Sequence, residues 1–249
     1  MIRRMRREFH VRSHWTKIRA ACIMYIMLEG IKAVAFDIDG TIYPDLNLYI
    51  CIIPYFFRNL SFYKKFNKVR KILHRTAPLA DFYEYQARNL AGMMGISAEE
   101  AKKQIQSVCY DGMKPYFKRI KPYPYVKECI QSFKDAGLKI GILSDFPPSQ
   151  KGDIWGIRGL CDVCIGSEES GALKPSKYPF GILSMKLGVE PSQILYVGNS
   201  VKYDVLGAKK AGMKSAYLLK GFKKIFNIKE KEADISFKNY RQLSDIVLQ

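Results

Sequence analysis

Ile31-Lys32-Ala33-Val34-Ala35-Phe36-Asp37-Ile38-Asp39-Gly40-Thr41 sets the terms for everything around it. The apolar run without polar alternation predicts a short strand covered on both faces, as in a parallel sheet. It stops on two carboxylates one residue apart, then on Gly-Thr, a turn composition. Acidic side chains at the carboxyl end of a buried strand stand where open α/β sheets gather their ligands.

Downstream, the strand–helix alternation repeats. Tyr125 to Ala136 predicts a helix closed by Gly137, and Leu138–Leu143 a strand ending at Ser144-Asp145. Residues 160–166 fit a strand, 176–187 a helix ending at Gly188, and Gln193 to Val197 a strand ending at Gly198-Asn199-Ser200. Val201 to Ala211 reads as a helix closed by Gly212, and Lys214 to Leu219 as a further strand. Such alternation specifies an α/β fold, a doubly wound, Rossmann-like parallel sheet with helices on both faces. Between Pro44 and Pro122 it lapses. Residues 46–119 are helical in spacing, aromatic and basic, with Phe56, Leu60, Tyr63 and Asn67 on one face and Ser97 as N-cap three residues before Glu100. The division is therefore an N-terminal arm at 1–27, a core of 28–45 and 120–249, and an inserted helical module at 46–119.

A chain of 249 residues, 48% hydrophobic and 26% charged, is neither a disordered tail nor a coiled-coil rod. No apolar run nears the roughly 18–20 residues of a membrane-spanning helix. Six cysteines are sparse and lack a disulfide-scaffold spacing, which favours a reducing cytoplasm. Cys161 and Cys164 form a CxxC without a second pair or a nearby histidine, so two semi-buried thiols are expected in preference to a redox or zinc site. The net charge of +18 is unevenly placed: residues 1–29 carry seven basic and two acidic side chains, and 46–119 carry thirteen and five. The arm from Met1 to Met27 has three readings, of which a cleaved targeting segment is disfavoured by the lack of a small-residue cleavage pattern before the first strand. It is a basic amphipathic segment able to touch nucleic acid or an anionic membrane, or an extension ahead of a start at Met27.

Four polar clusters fall at predicted strand ends: Asp37-Ile38-Asp39-Gly40-Thr41, Ser144-Asp145, Lys174-Pro175, and Gly198-Asn199-Ser200 with Asp204. Paired carboxylates, hydroxyls, a fixed cation and a further carboxylate on one rim suit phosphoryl transfer, where positioning and charge neutralisation lower the barrier.

In this order the clusters resemble the haloacid dehalogenase superfamily, in its phosphatase branch with a helical C1-type cap inserted after the first strand. The resemblance covers about residues 31–220. It implies that Asp37 attacks phosphorus to form an aspartyl-phosphate and that Asp39 serves as general acid and base. It also implies that Thr41, Ser144 and the turn at Asp145 hold phosphate oxygens and that Lys174 joins nucleophile and phosphate. Mg²⁺ is implied at Asp37, the Asp39 carbonyl, Asp204 and Asn199. Asn199 departs from the family, which usually has aspartate there; the loss of a charge predicts weaker Mg²⁺ binding. Asp39 favours hydrolysis of a phosphomonoester over carbon–halogen cleavage.

Substrate choice falls to the module at 46–119 together with Tyr43, whose aromatic and basic side chains include Tyr49, Phe56, Tyr63, Lys64 and Arg70. Rings can stack on a base and cations can draw in an anion. Thr41-Ile42-Tyr43-Pro44 is similar to the same stretch in pyrimidine nucleotidases, so a small phosphorylated substrate is expected: a nucleoside monophosphate, phosphoglycolate or a sugar phosphate. A phosphomutase of the same fold, and a non-catalytic phosphate- or nucleic-acid-binding module, stay open as alternatives.

Overall fold

The computed structural model describes residues 30–249; the expectations for the arm at 1–27 and a start at Met27 lie outside the described residues. Its parallel sheet comprises β1 (Ala33–Phe36), β2 (Lys139–Ser144), β3 (Val163–Gly166), β4 (Ile194–Gly198), β5 (Lys214–Leu218) and β6 (Ile235–Phe237). Their spatial order is β3-β2-β1-β4-β5-β6, with Val34 of central β1 paired to Ile140 on one side and Leu195 on the other. The chain thus winds outward through β2 and β3, then crosses back to β4. Segments leaving the carboxyl ends of β1 and β4 diverge, which opens a crevice at that switch point. Asp37 and Asn199 stand on its two sides.

The unbroken apolar character of β1 follows from this position, since both faces are covered. Ala33 and Ala35 pack with Phe180, Leu183 and Leu187 of α7 (Lys177–Leu187) and Ala208 of α8 (Leu206–Lys210). Val34 and Phe36 face the other layer, with Phe133 of α6 (Val126–Asp135) and Leu243 of α10 (Tyr240–Val247). α7 packs closely over Gly141, where a Cβ would lie 3.1 Å from Leu183 Cδ1 and push that leucine back by a few tenths of an ångström.

Between β1 and α6 the chain forms α1 (Asp45–Arg58), α2 (Leu60–Leu73), α3 (Phe82–Met94), α4 (Ala98–Gln104) and α5 (Gly112–Phe117), α4 reaching α5 through a wide π-type turn. Ser97 accepts a hydrogen bond from Glu100 N at 3.1 Å, the expected cap. The single helical face expected for Phe56 through Asn67 is interrupted: Asn59 leaves the helical region (φ −110°, ψ 26°) and splits α1 from α2. Its Nδ2 bonds the Tyr55 carbonyl at 3.0 Å, a local alternative to the helix ladder. β3 begins at Val163, later than expected, because Arg158–Leu160 winds as a 3₁₀ turn and the Asp162 carboxylate takes the Ile140 N–H at 2.8 Å. No helix among the described residues is long and apolar enough to cross a membrane.

Candidate active site

Lys174 lies at the centre of the crevice. Its Nζ donates to Asp37 Oδ1 and Asp204 Oδ1, both at 2.8 Å, and to the Tyr196 hydroxyl at 3.3 Å. Tyr196 in turn donates to the Leu143 carbonyl at 2.8 Å, so the ammonium is held from β4 and β2 together. Thr41 donates to Asp37 Oδ2 at 3.0 Å. Asp204 turns its second oxygen to the amides of Asn199 (3.1 Å) and Ser200 (2.9 Å), capping the segment that carries it. That segment's first turn, Val201–Val205, is π-wound rather than part of the regular helix expected from Val201.

Asp39 belongs to a second group of contacts. Ser144 donates to its Oδ2 at 3.3 Å, Lys151 Nζ at 3.0 Å, and the Tyr43 hydroxyl to its Oδ1. Asp145 points elsewhere: its Oδ1 accepts from the Ser167 hydroxyl at 2.6 Å and the Lys174 amide at 3.2 Å. Thr41 and Ser144 thus have their hydroxyls on Asp37 and Asp39, and the Asp145 carboxylate fixes the Lys174 backbone.

The charges act on one another strongly. Burial pushes the Asp37 carboxyl up to about 7; Lys174 opposes this, while Asp204 and Asp39 add to it. Burial also works against the Lys174 ammonium, yet Asp204 and Asp37 outweigh it and keep the lysine protonated. For Asp145, burial is outweighed by Lys174, His74 and Arg70, which hold the carboxyl below its usual range. Lys174 is thus one ammonium shared by two carboxylates, Asp37 and Asp204. That deficit, and an all-oxygen donor set, fit a hard divalent cation.

A cavity of about 670 Å³ opens over these groups, with Asp37, Asp39, Asp145, Lys174, Asn199 and Asp204 at its base. Asn199 Nδ2 lies 3.4 Å from Asp45 Oδ2, which also receives Lys220 Nζ at 2.7 Å. Gly40 (φ +78°) passes beneath this pair, and a Cβ there would sit 2.0 Å from Asn199 Nδ2. The four sequence clusters therefore meet at one rim.

Residues 31–212 match the family model of the haloacid dehalogenase-like hydrolases. The chain belongs to that family. Phosphoglycolate phosphatase of Haemophilus influenzae (strain 86-028NP) is 31% identical over 128 residues, 50% of this chain and 57% of that protein; the chain thus spans little over half of that relative. Glyceraldehyde 3-phosphate phosphatase of Methanopyrus kandleri is 27% identical over 209 residues, 77% of this chain and 85% of that protein. The crystal structure of a HAD phosphatase from Thermococcus onnurineus superimposes with a TM-score of 0.57 at 24% identity, covering 87% of this chain and 97% of that one, and shows the shared fold.

Within this haloacid dehalogenase-like frame, several site residues escaped the sequence. Lys151 is one: its side chain is fully buried, with Nζ 5.1 Å from the Phe117 ring centroid and 5.5 Å from that of Phe146. Nothing in Ser149-Gln150-Lys151-Gly152 sets it apart from a surface lysine. Two expectations need correction. Tyr43 is not a stacking platform, since it is fully buried beside Trp155 and bonded to Asp39. Arg70 is not a free cation, since it is buried against Glu168 under the Phe146 ring. Cys161 and Cys164 are free, with thiols raised by burial to about 12 and about 11, the direction opposite to that of a reactive thiolate.

Proposed function

We propose that the protein is a phosphomonoester hydrolase acting on a small phosphorylated metabolite through an aspartyl-phosphate on Asp37. The observation that carries this reading is the single ammonium of Lys174 held at 2.8 Å from both Asp37 and Asp204, with Asp39 two residues from Asp37 on the same cavity base. Lys174 draws the phosphate toward the nucleophile and offsets their repulsion. Asp37 attacks phosphorus, and Asp39 gives its proton to the departing alkoxide, then takes one from the attacking water. Lys151, Tyr43 and Ser144 hold Asp39 for both transfers. Thr41 holds the Asp37 carboxylate through its hydroxyl.

Asp37, Asp204, Asn199 and the Asp39 carbonyl are the residues that would hold Mg²⁺. Among the described residues no three His, Cys, Asp or Glu side chains form a ready cage, but Mg²⁺ usually takes only one or two carboxylates and completes its shell with water and phosphate. When bound, it would supply further positive charge against the phosphate. The helices over the cavity are the proposed cap, and the free thiols suit a reducing cytoplasm.

Hydrolysis of p-nitrophenyl phosphate with and without Mg²⁺ tests this. Turnover should require the metal, vanish in Asp37→Asn, and fall by about 10²–10⁴-fold in Asp39→Asn. Salt-sensitive binding of an oligonucleotide without turnover would replace the enzyme by a binding module.

A further inference from the structure

The cavity has two unlike halves. Its base is ionic, while its walls are uncharged and largely hydrocarbon: Ile52, Ile53 and Phe56 from α1, Phe66 from α2, and Met113 and Phe117 from α5, with neutral polar groups such as Asn67 and Tyr203 among them. Phe66, Met113 and Phe117 are buried, whereas Ile53 stands at the rim, 49% exposed. Among the described residues lining the cavity, the cations are Lys151 and Lys174, both at the base with carboxylate partners. Arg70, on the same helix as Phe66, faces Glu168 instead.

A phosphate has a place at this base, but a second anionic group has none. The carboxylate of phosphoglycolate would leave water for walls that offer it no unpaired cation, and the further charges lining the cavity, Asp45 and Asp145, are of the wrong sign and already partnered. An alkyl group gains from the same walls, about fourfold in affinity per buried methylene. Resting on the phosphatase reading of the base, we infer that the substrate is a phosphomonoester whose leaving alcohol is uncharged and largely hydrocarbon, recognised by Ile53, Phe56 and Met113. The P–O bond to that alcohol breaks, the alkoxide leaves with the Asp39 proton, and water completes inorganic phosphate.

Ethyl, butyl and hexyl phosphate share the leaving-group chemistry of phosphoglycolate, all being primary alkyl esters, so a comparison of kcat/KM isolates the walls. It should rise about fourfold per added methylene until the cavity is filled, and hexyl phosphate should exceed phosphoglycolate by at least ~10-fold. Ile53→Lys should move the preference toward phosphoglycolate, and Ile53→Leu should keep it on hexyl phosphate. A flat chain-length profile, or phosphoglycolate ahead, overturns the inference and leaves the phosphatase reading standing. If no ester turns over, the phosphatase reading falls instead. Calorimetric titration of the Asp37→Asn protein with the same alkyl phosphates then decides: affinity climbing with chain length upholds the inference, and level affinity overturns it.

Discussion

Asn199 contributes a carboxamide where the family resemblance led to the expectation of a charge, and its surroundings bear on how the molecule accommodates that. Nδ2 turns to Asp45, which already pairs with Lys220 at 2.7 Å. An aspartate at 199 would face Asp45 across the space above Gly40, and like charges at such range repel by about 1–4 kcal/mol, depending on solvent access. A divalent cation relieves that repulsion. Asn199→Asp should therefore lower the Mg²⁺ concentration for half-maximal activity and also lower the metal-free melting temperature, the second effect disappearing with Mg²⁺. An unchanged Mg²⁺ requirement would remove Asn199 from the metal site. The residue's position after β4 was legible in the sequence because a strand end and Gly198 announce it; Asp45 and Lys220 were not, because they meet only through the fold.

Helix α2 is the element that ties the helical half to the sheet. Its Arg70 forms a buried pair with Glu168, which also accepts from the Tyr110 hydroxyl at 2.7 Å, while Gln86 bonds both Arg70 and Tyr110. At its end His74 Nδ1 donates to the Lys174 carbonyl at 2.6 Å, since a carbonyl only accepts, and the ring stacks on Tyr203. Burial raises the Glu168 carboxyl more than Arg70 lowers it, so the pair is held by its geometry against a desolvation penalty. Glu168→Leu and Arg70→Met should each destabilise by about 3–5 kcal/mol in urea unfolding, and the double variant of the same two substitutions should recover much of the loss. Simple additivity would mean the two groups do not act as a pair. Burial lowers the His74 pKa from its ordinary 6.5, with Asp145 opposing. A group whose folded value is depressed is protonated first in the unfolded chain, so its share of stability is present above 6.5 and declines as pH falls toward the folded value. His74→Gln should flatten that part of the stability–pH curve; an identical curve would show that another group titrates there. These contacts mark the limit of sequence reading. Strands and helices of the sheet declare themselves by period, and β1, β2 and β4 fall within two residues of expectation. Arg70 and Glu168 are 98 residues apart and each resembles an ordinary surface charge. β6 was missed because three residues carry too little period beside the lysines of 220–238, whereas the apolar spacing of Tyr240, Leu243 and Val247 in α10 was there to be read and went unread.

At the scale of the whole molecule, charge is arranged by distance from the chemistry. The base of the cavity is rich in carboxylates, yet residues 46–119 carry thirteen basic against five acidic side chains. On α2, Lys64, Lys68 and Lys71 are exposed along one side while Phe62, Phe66 and Val69 are buried on the other. Asn67, on the same helix, lines the cavity. These lysines stand clear of the hydrocarbon walls, so they have no part in reading the leaving alcohol. Their field extends outward and favours the approach of a dianionic ester, an effect that salt screens over a Debye length of about 8 Å at physiological ionic strength. Close pairs such as Lys174 with Asp37 and Asp204 are buried and respond far less. Raising salt should therefore lower kcat/KM for a phosphomonoester by roughly tenfold while leaving kcat nearly constant. Reversing Lys64, Lys68 and Lys71 to glutamate should reduce kcat/KM at low salt and flatten the salt curve. A kcat/KM indifferent to ionic strength in the unaltered protein would show that the excess charge serves some contact other than the substrate's approach.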